Sequence, residues 1–395
     1  MSTRAIRLVQ VAASANSYCL PNLTTPEIIL RVSHKEMQPP EAGRIWADKK
    51  HTIQRFRPRE MEPPNFVALS YAWGDKDARL RRVYVAELQS SPKSDDVHEV
   101  LSDLDVRENL FQFLWYFRDS ERNTTETRLW IDQLCIHQAN VHERNHQVKL
   151  MASIYRSASY VVTWLGSSPE VMWAAEVVST FISTTRRDIT SEDRQIARGA
   201  AVRMLNNSYF TRLWIVQEVL LPRNVLIFSG IHWVPIDHLE KVNIYDTEVV
   251  TRVYNAAPYL IWDRIHGKSR SSRSLARCLG RYTGNISEDP RDRLYGLLGL
   301  ADDSKNIEVD YSKAVYLVYY DGVKALYKDY YKKVRFDVNT EQKAGYVESA
   351  LSLAKNMGMP DSVLQRLSEI EPNVDWIQHI LPELELWGSI AKPWP

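Results

Sequence analysis

Two places in this sequence have residues of the types that catalyse reactions. The first is His142-Glu143-Arg144-Asn145-His146, in which a glutamate follows the first of two histidines four positions apart. On a helix this spacing puts both imidazoles on one face, where they can bind zinc while the glutamate activates a metal-bound water. The second is Glu218, the one acidic residue in the apolar segment 209–221. A carboxylate beside an aromatic ring in an apolar cleft can stabilise an oxocarbenium-like sugar transition state.

The helix that carries the histidines decides whether a zinc site can form. Helical spacing near residues 141–157 predicts an apolar stripe made of Val141, Val148, Met151, Ala152, Tyr155 and Ala158. His142 and His146 fall on the opposite face, which we expect to be solvated. Glu170 and Glu176 are at a permissible sequence distance for a third ligand, but nothing selects either of them. We therefore expect two exposed histidines, and a zinc peptidase stays as the minor alternative.

The same helical geometry turns Arg144 toward the interior. A buried guanidinium must be paired or must bind an anion, because an unpaired buried charge is very costly. Asp132, at the end of the preceding strand, is its expected partner. The pair is either a structural ion pair or part of a phosphate or carboxylate site at the carboxyl end of a parallel sheet, where ligands bind.

Glu218 has the same two interpretations. Trp214 lies four positions earlier and shares its helix face. The carboxylate is either paired with an arginine, Arg212 or Arg144, or open to a cleft. Desolvation would raise its pKa and a cationic partner would lower it, and the sequence leaves that balance open.

The elements around these residues predict an α/β fold. Short apolar runs indicate strands at 66–71, 129–132 and 160–165, and helical spacing is found at 107–117 and near 141–157. This alternation is typical of a parallel sheet covered by helices. Further helices are expected at 171–184, 193–205 and 209–221, with a hairpin around Gly230. We expect an irregular lead-in over 1–64 with one strand at 28–32, an α/β domain over 65–235, and a mainly helical region over 236–395.

Composition narrows the class of protein. The 395 residues carry a formal net charge of +1, so no strong field favours nucleic acid. The cysteines, Cys19, Cys135 and Cys278, are odd in number and far apart, which fits a reducing compartment. We find no apolar signal-peptide run and no stretch of membrane-spanning length. These features predict a soluble cytoplasmic protein with no transmembrane segment.

Three blocks of this sequence together resemble the fungal heterokaryon incompatibility (HET) domain. They are ALSYAWGD at 68–75, LWIDQLCIHQ with the following helix and strand at 129–166, and YFTRLWIVQEVLL at 209–221. The block DPRDRLYGLLGL at 289–300 is similar to a segment that commonly follows the domain, so the resemblance covers roughly 66–300. The chain departs from the family at His137, where asparagine is common. Family members also usually lack the histidines that flank Glu143 and Arg144.

The resemblance implies a fold and an activity. HET domains are associated with self/non-self recognition and regulated cell death in filamentous fungi, and they look distantly similar to TIR domains. The fold implied is a TIR-like (flavodoxin-like) parallel sheet flanked by helices, with a largely helical C-terminal extension. Trp214 and Glu218 match the tryptophan and glutamate of the TIR W-x-x-x-E segment. In TIR enzymes that glutamate supports cleavage of the nicotinamide–ribose bond of NAD.

Carried over to this chain, the resemblance makes Glu218 the catalytic carboxylate. The implied substrate-binding residues are Ser70, Tyr71, Trp73 and Gly74 after the first strand, Asp132 and Arg144 after the second, and Trp214 as an aromatic wall. No G-x-G-x-x-G segment is present, so NAD would bind as a substrate and not as a Rossmann-type cofactor. We expect no cofactor and no metal.

Three functions follow. The first is a cell-death effector that cleaves NAD after self-association. The second is a non-enzymatic signalling module that binds a partner protein, for instance one from an incompatibility locus, while residues 301–395 transmit or restrain the signal. The third is a zinc peptidase that uses His142, Glu143 and His146.

Overall fold

The computed structural model describes residues 5–12, 28–36, 66–75, 77–90, 97–185, 189–267, 273–304, 306–334 and 340–369. Cys19 lies outside these residues. The strands of the described part are β1 (Ala5–Val11), β2 (Ile29–Glu36), β3 (Val67–Tyr71), β4 (Leu80–Ser90), β5 (Val97–Arg107), β6 (Leu129–Trp130), β7 (Val161–Trp164), β8 (Val225–Ser229) and β9 (His232–Pro235). They form one mixed sheet in the order β5-β4-β2-β1-β6-β3-β7-β8-β9.

The centre of the sheet is parallel, as the sequence predicts. Strands β6, β3, β7 and β8 pair in parallel with one another. Numbered among themselves in chain order, they lie in the order 2-1-3-4, as in flavodoxin-like sheets. Every residue of β3 and β7 is buried, because helices cover both faces of the sheet. This explains why both strands appear as continuous apolar runs and not as alternating ones.

The outer part of the sheet differs from the expectation. The lead-in over 1–64, predicted to be irregular apart from residues 28–32, contains β1 as well as β2. Strand β1 pairs along seven residues with β2 and at Val9 with Leu129 of β6, which lies about 120 positions away. The contact with β6 joins β1 to the central sheet, and no local pattern announces it. Strand β5 was also missed. It pairs with β4 along eleven residues of each strand, and its polar side chains resemble a loop when they are considered without their partner strand.

Helices surround the sheet and continue past it. They are α1 (Glu108–Arg118), α2 (Asp132–Cys135), α3 (Val141–Ser157), α4 (Pro169–Ser183), α5 (Ser191–Leu205), α6 (Ile215–Leu220), α7 (Thr247–Val250), α8 (Ala257–His266), α9 (Leu275–Tyr282), α10 (Asp292–Leu298), α11 (Val315–Val334), α12 (Thr340–Asn356) and α13 (Asp361–Glu369). The helical C-terminal extension is therefore confirmed. Among the described helices, none has the length and apolar composition that crossing a bilayer requires.

The segment 209–221 was expected to be one helix, and this was wrong. A 3₁₀ turn over Ser208–Thr211 is followed by extended backbone at Arg212, and only then by α6. The break has a tertiary cause. The Leu213 amide donates to the Ile286 carbonyl at 2.8 Å, and the Ile286 amide donates to the Thr211 carbonyl at 2.6 Å. Two hydrogen bonds to a distant segment thus replace the intrahelical ones, and tertiary context overrides local helical propensity.

A buried arginine secures the C-terminal end of α6. The guanidinium of Arg264, from α8, donates to the carbonyls of Val219 at 2.7 Å, Pro222 at 3.0 Å and Arg223 at 3.0 Å. It also forms an ion pair with Asp237 at 2.7 Å. The last carbonyls of a helix have no intrahelical donor, so this side chain satisfies one of them, that of Val219, together with two carbonyls of the segment that follows α6.

We predict that Arg264→Met lowers the free energy of unfolding by about 3–5 kcal/mol, because it leaves carbonyls and the Asp237 carboxylate without their buried donor. Urea titration followed by circular dichroism measures this loss. The control is Arg252→Met, which removes an exposed arginine paired with Glu248 and should cost at most about 1 kcal/mol. Equal losses in the two variants would show that Arg264 does not anchor α6.

Candidate functional site

A cleft of about 910 Å³ opens at the carboxyl ends of β3 and β6. One wall follows these strands and consists of residues 72–74, Asp132, Ile136 and Gln138. A second wall comes from α3 and the 208–218 segment, and a third from residues 286–292 with Tyr311 and Val315. The edge formed by the carboxyl ends of parallel strands is where α/β proteins bind ligands, so the position favours a binding site.

The cleft brings most of the predicted site residues together. Its lining includes Trp73, Gly74, Asp132, Arg144, Trp214 and Glu218. The other two predicted residues lie behind the wall and not on it. Ser70 is buried against the Glu218 carboxylate, and the buried Tyr71 phenol donates to the Gln133 side-chain oxygen at 2.9 Å. Both can position the site, but in this structure neither reaches the cleft.

The Glu218 carboxyl is held at the cleft by a chain of hydroxyl groups. Its side chain is 2% exposed and accepts a hydrogen bond from the Ser70 hydroxyl. Because Ser70 uses its proton there, the Tyr209 hydroxyl donates to Ser70, with 2.6 Å between the oxygens. Burial raises the pKa of Glu218 to about 7, although Arg212 and the Ser70 hydrogen bond act to lower it. A carboxyl with this pKa changes protonation state near neutral pH.

Arg212 is a cleft residue that the predicted substrate-binding set omits. Its guanidinium donates to the Tyr71 carbonyl at the end of β3. Its charge lowers the pKa of both Glu218 and Asp132 against the effect of burial. The sequence holds a signal for it, since Arg212 is the one cationic residue in 209–221. Arg212 therefore limits the rise in pKa that burial causes at Glu218 and Asp132.

Asp132 joins the loops that follow β3 and β6. One carboxylate oxygen accepts from the Trp73 indole N–H at 2.8 Å, and the other accepts from the Gln133 amide at 2.7 Å. Burial raises the pKa of Asp132 above its usual value. Gly74, which follows Trp73, has φ +79°, a conformation that favours glycine. These contacts fix the shape of the first wall.

Arg144 points into the cleft, as its place on the helix predicts, but its partner is different. Both oxygens of Asp132 are used elsewhere, and the guanidinium lies 4.0 Å from the centre of the Tyr311 ring. Among the described residues none accepts a hydrogen bond from the Arg144 side chain, and its Nε is buried. The expected ion pair with Asp132 is therefore replaced by a cation–π contact, which leaves N–H groups for an anionic ligand.

Three further cleft residues were missed. Asp292 accepts from the Trp214 indole N–H at 3.0 Å and from the Tyr311 hydroxyl at 2.5 Å. The Arg107 guanidinium lies 5.3 Å from the Trp73 ring centre and donates to the Gly74 carbonyl at 3.3 Å. Asp292 has a sequence signal, because it lies in the block at 289–300. Tyr311 and Arg107 have none.

The two histidines of the zinc motif differ in exposure. His142 is exposed, as expected, whereas His146 is half-buried, which corrects the expectation of two exposed histidines. Glu143 is engaged, since its carboxylate accepts from the His137 amide at 3.0 Å and lies 3.8 Å from Arg7. Within the described ranges no three histidine, cysteine, aspartate or glutamate side chains are grouped so that they can hold a metal ion. The prediction that Val141 belongs to the buried apolar stripe was wrong, since its side chain is 39% exposed. Val141 is the first residue of α3, and the buried residues of this helix begin at Gln147.

Comparison with known proteins agrees with the sequence blocks. The family described as heterokaryon incompatibility protein (HET) matches residues 66–218. A relative from Neurospora crassa, "Heterokaryon incompatibility protein 6, OR allele", is 27% identical over 316 residues, which cover 65% of this chain and 46% of that relative. The chain thus spans less than half of the length of this relative. No solved structure matches the chain significantly.

We predict that stability links to pH through Glu218. The pKa of Glu218 is about 7 in the folded protein and 4.5 ordinarily, so protonation of this carboxyl stabilises the folded state. This stabilisation is fully present below pH 4.5 and is lost as the pH rises through 7. Glu218→Gln cannot titrate, so between pH 4.5 and 8 its free energy of unfolding should rise by up to about 3 kcal/mol relative to that of the unmodified protein. Urea titrations across this range measure it. The exposed Glu176→Gln should show a flat difference, and a flat difference for Glu218→Gln would contradict the raised pKa.

We also predict that His142→Ala changes neither metal content nor stability. The side chain of His142 is exposed at the start of α3, so its loss removes little buried area. Elemental analysis after purification in zinc-containing buffer should give equal, substoichiometric zinc for both proteins. One equivalent of zinc that disappears in the variant would restore the peptidase hypothesis.

Proposed function

We propose that this protein, whose residues 66–218 match the heterokaryon incompatibility (HET) family, acts in fungal non-self recognition and regulated cell death, and that its cleft cleaves the nicotinamide–ribose bond of NAD. The first part is supported by the family match and by the relative named as a heterokaryon incompatibility protein. The second part is supported by the cleft, above all by a buried carboxyl, Glu218, with an aromatic wall, Trp214, in the same cavity.

The reaction needs little from the protein except charge stabilisation. The bond between the ribose C1′ and the nicotinamide nitrogen breaks, and its electron pair neutralises the positive charge of the nicotinamide ring. The leaving group therefore departs without a proton from a general acid. Positive charge moves to the ribose, where an ionised Glu218 stabilises it. Water then attacks C1′ and loses a proton, which gives ADP-ribose.

The remaining cleft residues have binding roles in this proposal. Trp214 provides a flat wall for the ribose or nicotinamide, and Arg144 offers its free N–H groups to the diphosphate. Trp73 and Gly74 form the loop above β3, which Asp132 holds in place. Ser70 and Tyr71 act from behind this wall, Ser70 by orienting the Glu218 carboxyl.

One observation favours the second candidate, a non-enzymatic signalling module. Glu218 is almost fully buried and bonded to Ser70, and the Tyr209 hydroxyl extends this network to Thr163 on β7. Such a network ties the segment around α6 to the sheet, which is a purely structural role. In this case the HET domain binds a partner protein, the helical region from residue 301 transmits the signal, and self-association in the cytoplasm activates the chain.

An assay of nicotinamide release separates the two candidates. The purified chain, at high protein concentration to favour self-association, should release nicotinamide from NAD. Glu218→Gln should lower kcat by about 100-fold or more, because the ribose cation loses its counter-charge. The control is Glu176→Gln on the exposed face of α4, which should keep full activity. No turnover by folded, self-associated protein would leave the signalling module as the function.

The pH dependence gives a second check on the same residue. Because the ionised form of Glu218 is the active one, kcat/KM should fall about tenfold per pH unit below pH 7 and level off above it. The positively charged nicotinamide ring of bound NAD favours the ionised form of Glu218, so the acidic limb in the pH profile of kcat should lie at lower pH than that of kcat/KM. The residual activity of Glu218→Gln should lack this limb. An unchanged limb in the variant would assign the titration to another group.

A further inference from the structure

Asp292 is a buried carboxylate that is bonded to neutral donors. It lies in the first turn of α10, outside the HET match, and is 8% exposed. One oxygen accepts from the Trp214 indole and the other from the Tyr311 hydroxyl. Among the ion pairs of the described residues, none includes Asp292. Burial without such a pair raises the pKa of Asp292, and the nearby charge of Arg144 offsets this only in part, so a carboxylate here is a poor choice for stability alone.

Tyr311 extends this contact to the other side of the cleft. Its ring lies under the Arg144 guanidinium, at 4.0 Å. Its backbone amide donates to the Asn145 side chain at 3.0 Å, so the tyrosine is anchored to the same helical turn as Arg144. Its carbonyl accepts a hydrogen bond from the Arg291 side chain at 2.5 Å. Arg291 in turn forms an ion pair with Asp289 at 2.7 Å. Ring, hydroxyl and backbone are therefore all fixed.

The two carboxylate oxygens of Asp292 thus bind two different side chains of the cleft. One oxygen accepts from Trp214, the aromatic wall, and the other accepts from Tyr311, whose ring contacts the Arg144 guanidinium. An amide of the same shape cannot replace it, because asparagine offers one acceptor oxygen and turns an N–H₂ toward the second donor.

We propose that Asp292 is a positioning residue of the cleft, which sets the place of Trp214 directly and that of Arg144 through Tyr311, so that a ligand with a diphosphate and a planar ring is bound at both ends. The ligand class rests on the proposed function, whereas the positioning of the two side chains does not. By this proposal, residues that follow the HET match, namely Asp292 and Tyr311, help to form the binding site.

Two measurements without ligand test the positioning. Phenylglyoxal modification, followed by mass spectrometry, reports how freely Arg144 is exposed, with Arg107 as the internal reference because its contacts do not involve Asp292. The indole ¹⁵N–H resonance of Trp214, assigned with Trp214→Phe, reports its hydrogen bond. In Asp292→Asn we expect modification of Arg144 to be about five- to tenfold faster, as for one lost hydrogen bond, and the indole resonance to shift.

The matched control is Asp321→Asn, which removes a carboxylate on α11 that is paired with Lys313. It should leave both signals unchanged. If Asp292→Asn does not fold, Tyr311→Phe takes its place. This variant keeps the aromatic ring and loses only the hydrogen bond to Asp292. Phenylglyoxal should modify Arg144 faster in Tyr311→Phe than in the unmodified protein. Equal reactivity of Arg144 and an unmoved indole resonance in Asp292→Asn would overturn the proposal.

Binding of ADP-ribose by calorimetry tests the ligand class. Asp292→Asn should weaken it by about tenfold or more because both contacts are displaced, with partial rescue in Asp292→Glu. If the unmodified protein binds no ADP-ribose while Arg144 is still freed in Asp292→Asn, the NAD function fails and the positioning stands. If Asp292→Asn binds as tightly as the unmodified protein, the positioning fails and the function stands.

Discussion

The burial of one carboxyl, that of Glu218, is the constraint on which the site depends. Removing it from water costs free energy, and the fold offsets this with the Ser70 hydroxyl and the charge of Arg212. Within the described part of the chain, Glu218 forms no direct ion pair. The carboxyl is consequently left with a pKa near neutrality. Many surrounding features serve this arrangement, including the short α6, the Arg264 contacts at its end, and the hydroxyl chain to β7.

The cleft is assembled from parts of the chain that are far apart. The matched domain supplies the strand ends, α3 and α6, and residues 286–315 supply the opposite wall. The two sides meet in specific contacts and not only in apolar packing. The Gln217 side chain donates to the Gly296 carbonyl at 2.7 Å, beside the Trp214–Asp292 bond. A family boundary drawn at residue 218 thus passes through the site.

Local patterns predicted the centre of this structure well. The apolar runs gave β3 and β7 to within one residue at each end, and helical spacing gave α3 with its inward-facing Arg144. What failed depended on partners distant in sequence. Strand β1 joins the central sheet at β6, the break at Arg212 is made by Ile286, and Trp214 meets an aspartate 78 residues away. A single sequence holds no sign of such pairings, so the third wall of the cleft, which comes from residues 286–292 with Tyr311 and Val315, could not be predicted.

The parallel bridge between Arg212 and Ile286 has a consequence for sequence variants of this chain. The Ile286 backbone holds the chain just before Trp214, so a substitution near residue 286 acts on the cleft from outside the matched residues. Two variants that are identical over 66–218 can therefore differ in the shape of this cleft, and the segment 286–311 is where such differences should be sought.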